Sequence, residues 1–369
     1  MLKSISRTVP TSLLAVMVLA AIEAVALGQT PTTAAPNANK AAVLGTGSFT
    51  SFVENMDSSL AFYHDAFGME VPALPASGVR PYNQENPQLF KFFDIMGAKE
   101  RHQSARVAGT RVTVEMMEIQ DVPHQGILRK IQDPGNATIV FIVRDVDAAL
   151  DRALVAKATS ETKPVTFPDG TRAALIRDID NRFIELRQLA STPATPPAGT
   201  GNILDMRLSL TVKDMDETLK VYRDVLGFTV EGETKFTADA AMRKLTGLAK
   251  AQFRTSRIQA PGSTLWIELV EFKGVERRPL QMKIQDRGAA RLQLRVQDTD
   301  TVVAVAKAAG LKIMSVDGIA QPIPPNFKGA LIADPNNFFL TPFAPCDGCA
   351  PGLAAPTRPA RQALLPGLL

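Results

Sequence analysis

No run of five or six basic residues occurs in this sequence, and stacking aromatics are scarce, with one Trp and three Tyr in 369 residues. The 41 Lys and Arg are scattered among 37 Asp and Glu, so the chain lacks the basic stripe of a nucleic-acid binder. It also lacks a serine nucleophile elbow, a phosphate-cradling glycine loop and a dinucleotide fingerprint, which removes the hydrolase, kinase and dehydrogenase readings built on them. Histidine occurs three times. His64 lies in the helix motif FYHDAFG on a solvent face, and His102 and His124 fall in loops before and after VTVEMMEI. His124, in DVPHQGI, is the one placed to reach over a neighbouring pocket as acid, base or ligand. The only cysteines, Cys346 and Cys349, form one C-x-x-C, two donors where a closed zinc site needs four. A local disulfide in an oxidising compartment is the expected state.

What is present begins with an export signature. Lys3 and Arg7 precede an apolar stretch from Leu13 to Leu27, and Ala26 and Gly28 form a small-x-small cleavage pattern before Gln29. Residues 1–28 are expected to be a signal peptide and 29–44 a Pro-, Thr- and Ala-rich flexible leader. No cysteine follows the apolar stretch to carry a lipid; the alternative to cleavage is an uncleaved membrane anchor, for which the stretch is short. A periplasmic or secreted protein with no stable membrane insertion after cleavage is expected.

The body of the chain is a repeat at two levels. KIQDPGNATIVFIVRDVD from Lys130 returns as KIQDRGAARLQLRVQDTD from Lys283, and VEMMEI around Glu115 returns as IELVEF around Glu268. FYHDAFGMEV likewise matches VYRDVLGFTV. Within each half, a strand with period-two apolar spacing ends in Asp or Asn, which caps an amphipathic helix; this occurs four times. The helices bury Leu60, Tyr63 and Phe67, or Leu219, Tyr222 and Leu226, and end near Gly68, Gly227 and Gly310. Further strand-like runs follow each start, giving four βαβββ modules. Residues 189–202 read as a Pro-, Thr- and Gly-rich linker, and 346–369 as a Pro-rich tail.

The pieces VYRDVLGF, DIDNRFIEL and ADPNNFFL resemble the vicinal oxygen chelate superfamily, which includes glyoxalase I, extradiol dioxygenases and bleomycin-resistance proteins. The resemblance covers almost the whole chain after the leader. It implies an α+β fold in which paired modules form cupped mixed sheets with helices outside. One pairing puts a first cup at 45–188 and a second at 203–345; the modules can also exchange partners, and periodicity does not choose between these arrangements.

The resemblance further implies a divalent metal on the concave face, held by one residue near the start of each module's first strand and one Glu on its last. Those positions fall on Ser48, Thr138, Arg207 and Arg291, and on Glu115, Glu185, Glu268 and Thr341; none is His. Glu115, Glu185, Ser48 and Thr138 would make the first cup. They either hold one hard divalent ion, the only cofactor implied, or hydrogen-bond within a polar cup. In the second cup Arg207, Arg291 and Thr341 either grip an anionic small molecule beside Glu268, or an Arg207–Glu268 salt bridge fills the space.

Three functions follow from these sets. One is binding of a small organic, anionic molecule without the family's metal-ligand histidines. A second is a metal-dependent lyase, isomerase or dioxygenase in which Glu115 and Glu185, with His124, do the chemistry. The third is a partner-binding protein whose cups have lost chemistry.

Overall fold

The structure is a computed structural model that describes residues 41–78, 80–82, 87–107, 110, 112–191, 201–232, 234–323 and 326–346. The expected signal peptide, most of the leader and linker, and the tail beyond Cys346 lie outside the described residues. Cys346 is disulfide-bonded; Cys349 is outside the described residues. No described helix is long and apolar enough to cross a membrane.

All four modules form. Module one comprises β1 (Val43–Phe52), α1 (Met56–Phe67), α2 (Pro87–Phe93), β2 (Lys99–Arg106) and β3 (Thr113–Gln120). Module two comprises β4 (Ala137–Val143), α3 (Val146–Val155), the short β5 (Thr159–Ser160) and β6 (Val165–Thr166), β7 (Arg172–Arg177) and β8 (Phe183–Gln188). Module three has β9 (Ile203–Val212), α4 (Met215–Leu219) running into a π-helical turn at Lys220–Val225, β10 (Thr229–Glu231), α5 (Ala240–Thr246), β11 (Gln252–Gln259) and β12 (Trp266–Lys273). Module four has β13 (Ala290–Val296), α6 (Thr299–Ala308), β14 (Lys312–Ile313), β15 (Gln321–Ile323), β16 (Phe327–Gly329), β17 (Ile332–Ala333) and β18 (Phe339–Pro345).

The expected caps are all in place. The side chains of Asn55, Asp145, Asp214 and Asp298 each accept a backbone N–H in the first turn of the helix that follows. Tyr63 and Tyr222 are fully buried on the apolar faces, and each donates its hydroxyl at 3.1 Å to an aspartate of the next module, Asp178 and Asp334.

The pairing of modules is the exchanged one. The centre of one sheet is β1 antiparallel to β13, and the centre of the other is β4 antiparallel to β9. Modules one and four therefore form an outer-module cup, and modules two and three an inner-module cup. Neither contiguous half closes a cup of its own, which corrects the grouping of 45–188 and 203–345 as separate cups.

The physical reason lies in the two connections, residues 121–136 and 274–289, which carry the chain from one sheet to the other and clasp each other on the way. Asp133 accepts from the backbone N–H of Lys130 in its own turn and from that of Arg278 in the other connection; Asp286 does the same with Lys283 and Gln125. Gly135 and Gly288 end these turns at φ 91° and 85°. A Cβ on Gly135 would collide with the Asn336 backbone carbonyl, so there both the angle and the space require glycine, while at Gly288, which the Arg129 guanidinium packs against, the angle does.

The fold carries two expectations. Burial pushes the Asp334 carboxyl up from 3.8 to about 6, although Phe338, Asn336 and Tyr222 hydrogen-bond it. Below about pH 4 the group is protonated in both the folded and unfolded chain. Between about 4 and 6 only the folded chain keeps the proton, so its contribution to stability declines as pH rises. The stability advantage of the wild type over Asp334→Asn should shrink by about 3 kcal/mol across that interval, read from urea unfolding through the single Trp266. Second, cutting the chain at a protease site inserted in residues 192–200 should leave both fragments eluting as one species. Two separately expressed halves that fold as independent monomers would contradict the exchanged pairing.

Candidate functional site

Each concave face is built by period-two alternation on the central strands. In the outer-module cup β1 and β13 place Thr50 directly opposite Arg291, and the parallel pairing of β1 with β3 places Thr50 beside Glu115. Thr50 donates its hydroxyl to Glu115 at 2.5 Å, and Arg291 donates Nε to Thr50 and Nη2 to Glu115, both at 3.2 Å. Burial pushes the Arg291 guanidinium below its usual value against the pull of Glu115. The guanidinium also lies over the Phe93 ring, 5.1 Å from its centroid, while Nη1 has no partner among the described residues. Thr341 and Gln293 complete this floor, Thr341 donating to the Leu292 carbonyl at 3.4 Å.

Ser48 lies two residues before Thr50, at a β-bulge in β1 and beside Gln293. The register between β1 and β13 shifts between Thr46 and Phe49, and the Ser48 backbone N–H donates to the Gln293 side chain at 3.4 Å.

Over this floor is a cavity of about 390 Å³ lined by Leu89, Phe92, Ile323, Phe327 and Phe343 on its apolar side. Its polar side is Arg291, Gln293, Thr341 and His102. His102 is on strand β2, not in a loop as its surroundings in the sequence suggested. Its Nδ1 is 2.9 Å from the carboxylate of Glu100, whose side chain is only 1% exposed, and Nε2 has no described partner. The hydrogen bond to Glu100 holds the imidazole above its ordinary value, with Glu115 adding to that and Arg291 opposing it. Sequence reasoning missed this pair because KERHQSAR lacks the apolar alternation that marks a strand; its partner strand supplies the order. Gln293 also borders a wider polar cleft of about 640 Å³ with Ser104, Arg106, Thr113 and Arg295 on its walls.

The inner-module cup is different. Thr138, Glu185, Arg207 and Glu268 share its concave face, with Val140 between Glu185 and Arg207 in register. Arg187, two residues after Glu185 and hence on the same face, donates Nε to Glu185 at 2.6 Å and both terminal nitrogens to Glu268 at 2.6 and 2.9 Å. Arg207 stands farther away, 3.7 Å from Glu268. Burial pushes Glu268 up, but Arg187 and then Arg207 outweigh it and hold the carboxylate below its ordinary range. Met242 and Leu245 of α5 close over the side of this floor that holds Glu185, Thr138 and Ser209, leaving a space there of only about 30 Å³.

Glu115 and Glu185 are thus in different cups, each paired with an arginine, and the expected four-residue set of a first cup is not assembled. Exchange of the modules regroups it: Glu115 joins Arg291 and Thr341, while Glu185 and Thr138 join Arg207 and Glu268. His124 lies in the connection after β3, its Nδ1 3.1 Å from the Val122 carbonyl and its Nε2 3.7 Å from Glu54, and lines neither cup's cavity. His64 is exposed in the last turn of α1, as expected. Among the described residues no three His, Cys, Asp or Glu side chains are grouped to hold a metal ion. The donor sets do not fit a divalent cation, because each cup's glutamates already neutralise a guanidinium at hydrogen-bond distance.

Comparison with known proteins agrees with this architecture. The family model described as Glyoxalase/Bleomycin resistance protein/Dioxygenase superfamily matches residues 45–186 and 206–337. Glyoxalase I from Zea mays superposes with a TM-score of 0.52 at 17% identity, over 82% of this chain and 92% of that one. A putative dioxygenase from Bacillus subtilis subsp. subtilis str. 168 superposes with a TM-score of 0.50 at 12% identity, over 83% and 86%. At these identities the likeness is one of fold. No curated protein sequence matches the chain. With tandem family matches over both halves and four βαβββ modules closing two cups, the chain belongs to the glyoxalase/bleomycin resistance protein/dioxygenase superfamily.

Proposed function

We propose that this chain is an exported, metal-independent member of its superfamily that binds a small organic anion in the outer-module cup. The observation that carries the reading is the cavity of about 390 Å³ in which one wall is aromatic and aliphatic and the other presents Arg291, His102, Gln293 and Thr341. An apolar body fits the first wall, and the free Nη1 of Arg291 with the His102 imidazole fits a carboxylate or phosphate. Loss of histidine from every first-strand ligand position, and the pairing of Glu115 with Arg291, support binding without a metal. The same pairing weighs against the metal-dependent lyase or dioxygenase. Export rests on the residues of the N-terminal stretch alone.

Titration calorimetry with benzoate and phenyl phosphate tests the reading. Binding should survive exhaustive chelation, and elemental analysis of the purified protein should find no stoichiometric divalent ion. Replacing Thr341 by Phe, which fills the floor of the cavity, should weaken binding about tenfold or more. His102 is faced by Glu100 and Glu115, which favour its protonation, and by Arg291, which opposes it. Since the imidazole carries charge only below its raised value, affinity should fall as pH rises through that point, and His102→Gln should flatten the profile. Stoichiometric metal with chelation-sensitive binding would reverse the conclusion.

A further inference from the structure

The inner-module cup has kept two carboxylates on its floor, Glu185 on β8 and Glu268 on β12, and the space left beside Glu185 under α5 is only about 30 Å³. Two buried glutamates at such a spacing repel each other and hold their charge only if a cation sits between them. The structure contains that cation as part of the chain. Arg187 reaches Glu185 with one nitrogen and Glu268 with two, at 2.6, 2.6 and 2.9 Å, a fork geometry that a single lysine could not reproduce. Its side chain is 18% exposed, and Met242 and Leu245 of α5 cover the neighbouring part of the floor beside Glu185, Thr138 and Ser209.

We propose that Arg187 is the resident cation of this cup, occupying with its guanidinium the electrostatic place of a divalent ion between Glu185 and Glu268, so that the cup is a closed structural centre and ligand binding is left to the outer modules. The site is therefore latent: Arg187 fills the place between the carboxylates, which, with the hydroxyls of Thr138 and Ser209 on the same face, are still in position, and Arg207 is the second guanidinium beside Glu268. Arg207, 3.7 Å from Glu268, is too distant to replace Arg187 without moving.

The test is removal of the cation from the full chain. Arg187→Ala should lower the melting temperature by on the order of 10 °C, because it leaves Glu185 without its guanidinium partner and Glu268 with only the more distant Arg207. Millimolar MnCl₂ or methylguanidinium chloride should recover much of that loss, whereas NaCl at equal ionic strength should not, and neither cation should shift the wild type. Manganese electron paramagnetic resonance should count about one bound ion per chain in Arg187→Ala and none once Glu268→Gln is added. A folded Arg187→Ala that is as stable as wild type, or that answers to neither cation, overturns the proposal. If Arg187→Ala fails to fold, the neutral triple variant Glu185→Gln, Arg187→Leu, Glu268→Gln decides. Its folding without any response to cations supports an electrostatic role, and its failure to fold assigns Arg187 to packing instead. Binding of benzoate in the outer-module cup should be unchanged in every folded variant, so failure there and failure here are read separately.

Discussion

The reciprocal clasp between the two connecting segments is what the rest of the molecule depends on. Asp133 and Asp286 each close a turn of their own connection and take a backbone N–H from the other, so neither connection is complete without its partner. Around this crossing the fully buried Arg182 donates to Ser51 of module one, to the Ala137 carbonyl at the start of β4, and to the carbonyls of Gly288 and Ala289 just before β13. One guanidinium thereby joins the ends of strands from both sheets, and satisfying four acceptors is what makes its burial tolerable. The segments that reveal the duplication in the sequence, KIQDPG and KIQDRG, are the crossing itself. Each copy needs aspartate to join the two connections and glycine to end its turn at a positive φ.

The crossing determines which residues meet, and the two cups then diverge in how they are covered. Helices α2 and α5 stand at equivalent points of the two halves, and each leans on the concave face of its own sheet. Phe90, Phe92 and Phe93 of α2 pack with Phe52, Met117 and Phe339 at one end of the outer-module cup, and the adjoining cavity remains open beside Arg291. Met242 and Leu245 of α5 cover the inner-module cup beside Glu185, Thr138 and Ser209, next to where Arg187 joins the carboxylates. A ligand that takes the second cup's carboxylates must displace an ion pair, whereas the first asks only for displaced water.

The modules were legible because their signals are local. A capping Asp or Asn after an alternating strand and buried apolar residues at helical spacing need only a few neighbours to be read, and all four caps appear where the sequence places them. Module pairing was not legible, since β1 would satisfy its edge equally well against β4 or β13 as far as alternation can tell. The information that decides it is in Asp133 and Asp286, whose acceptors look like ordinary turn residues until the second connection lies beside the first.

The site was half legible for the same reason. Glu115, Glu185, Arg207, Glu268, Arg291 and Thr341 all reach concave faces, because strand periodicity determines the face; their grouping follows from pairing and so changed with it. Arg187 was open to the same period-two argument, as it lies two residues beyond Glu185, but attention to ligand positions alone passes over it. Its presence changes the meaning of those positions. A glutamate on the last strand reads as a metal ligand only while nothing else on that face carries positive charge, and here a guanidinium stands within hydrogen-bond distance in both cups. In this chain the charge that the fold gathers at its two floors is balanced from within, and the floor with room above it for a ligand is the one where Arg291 Nη1 and His102 Nε2 have no partner among the described residues.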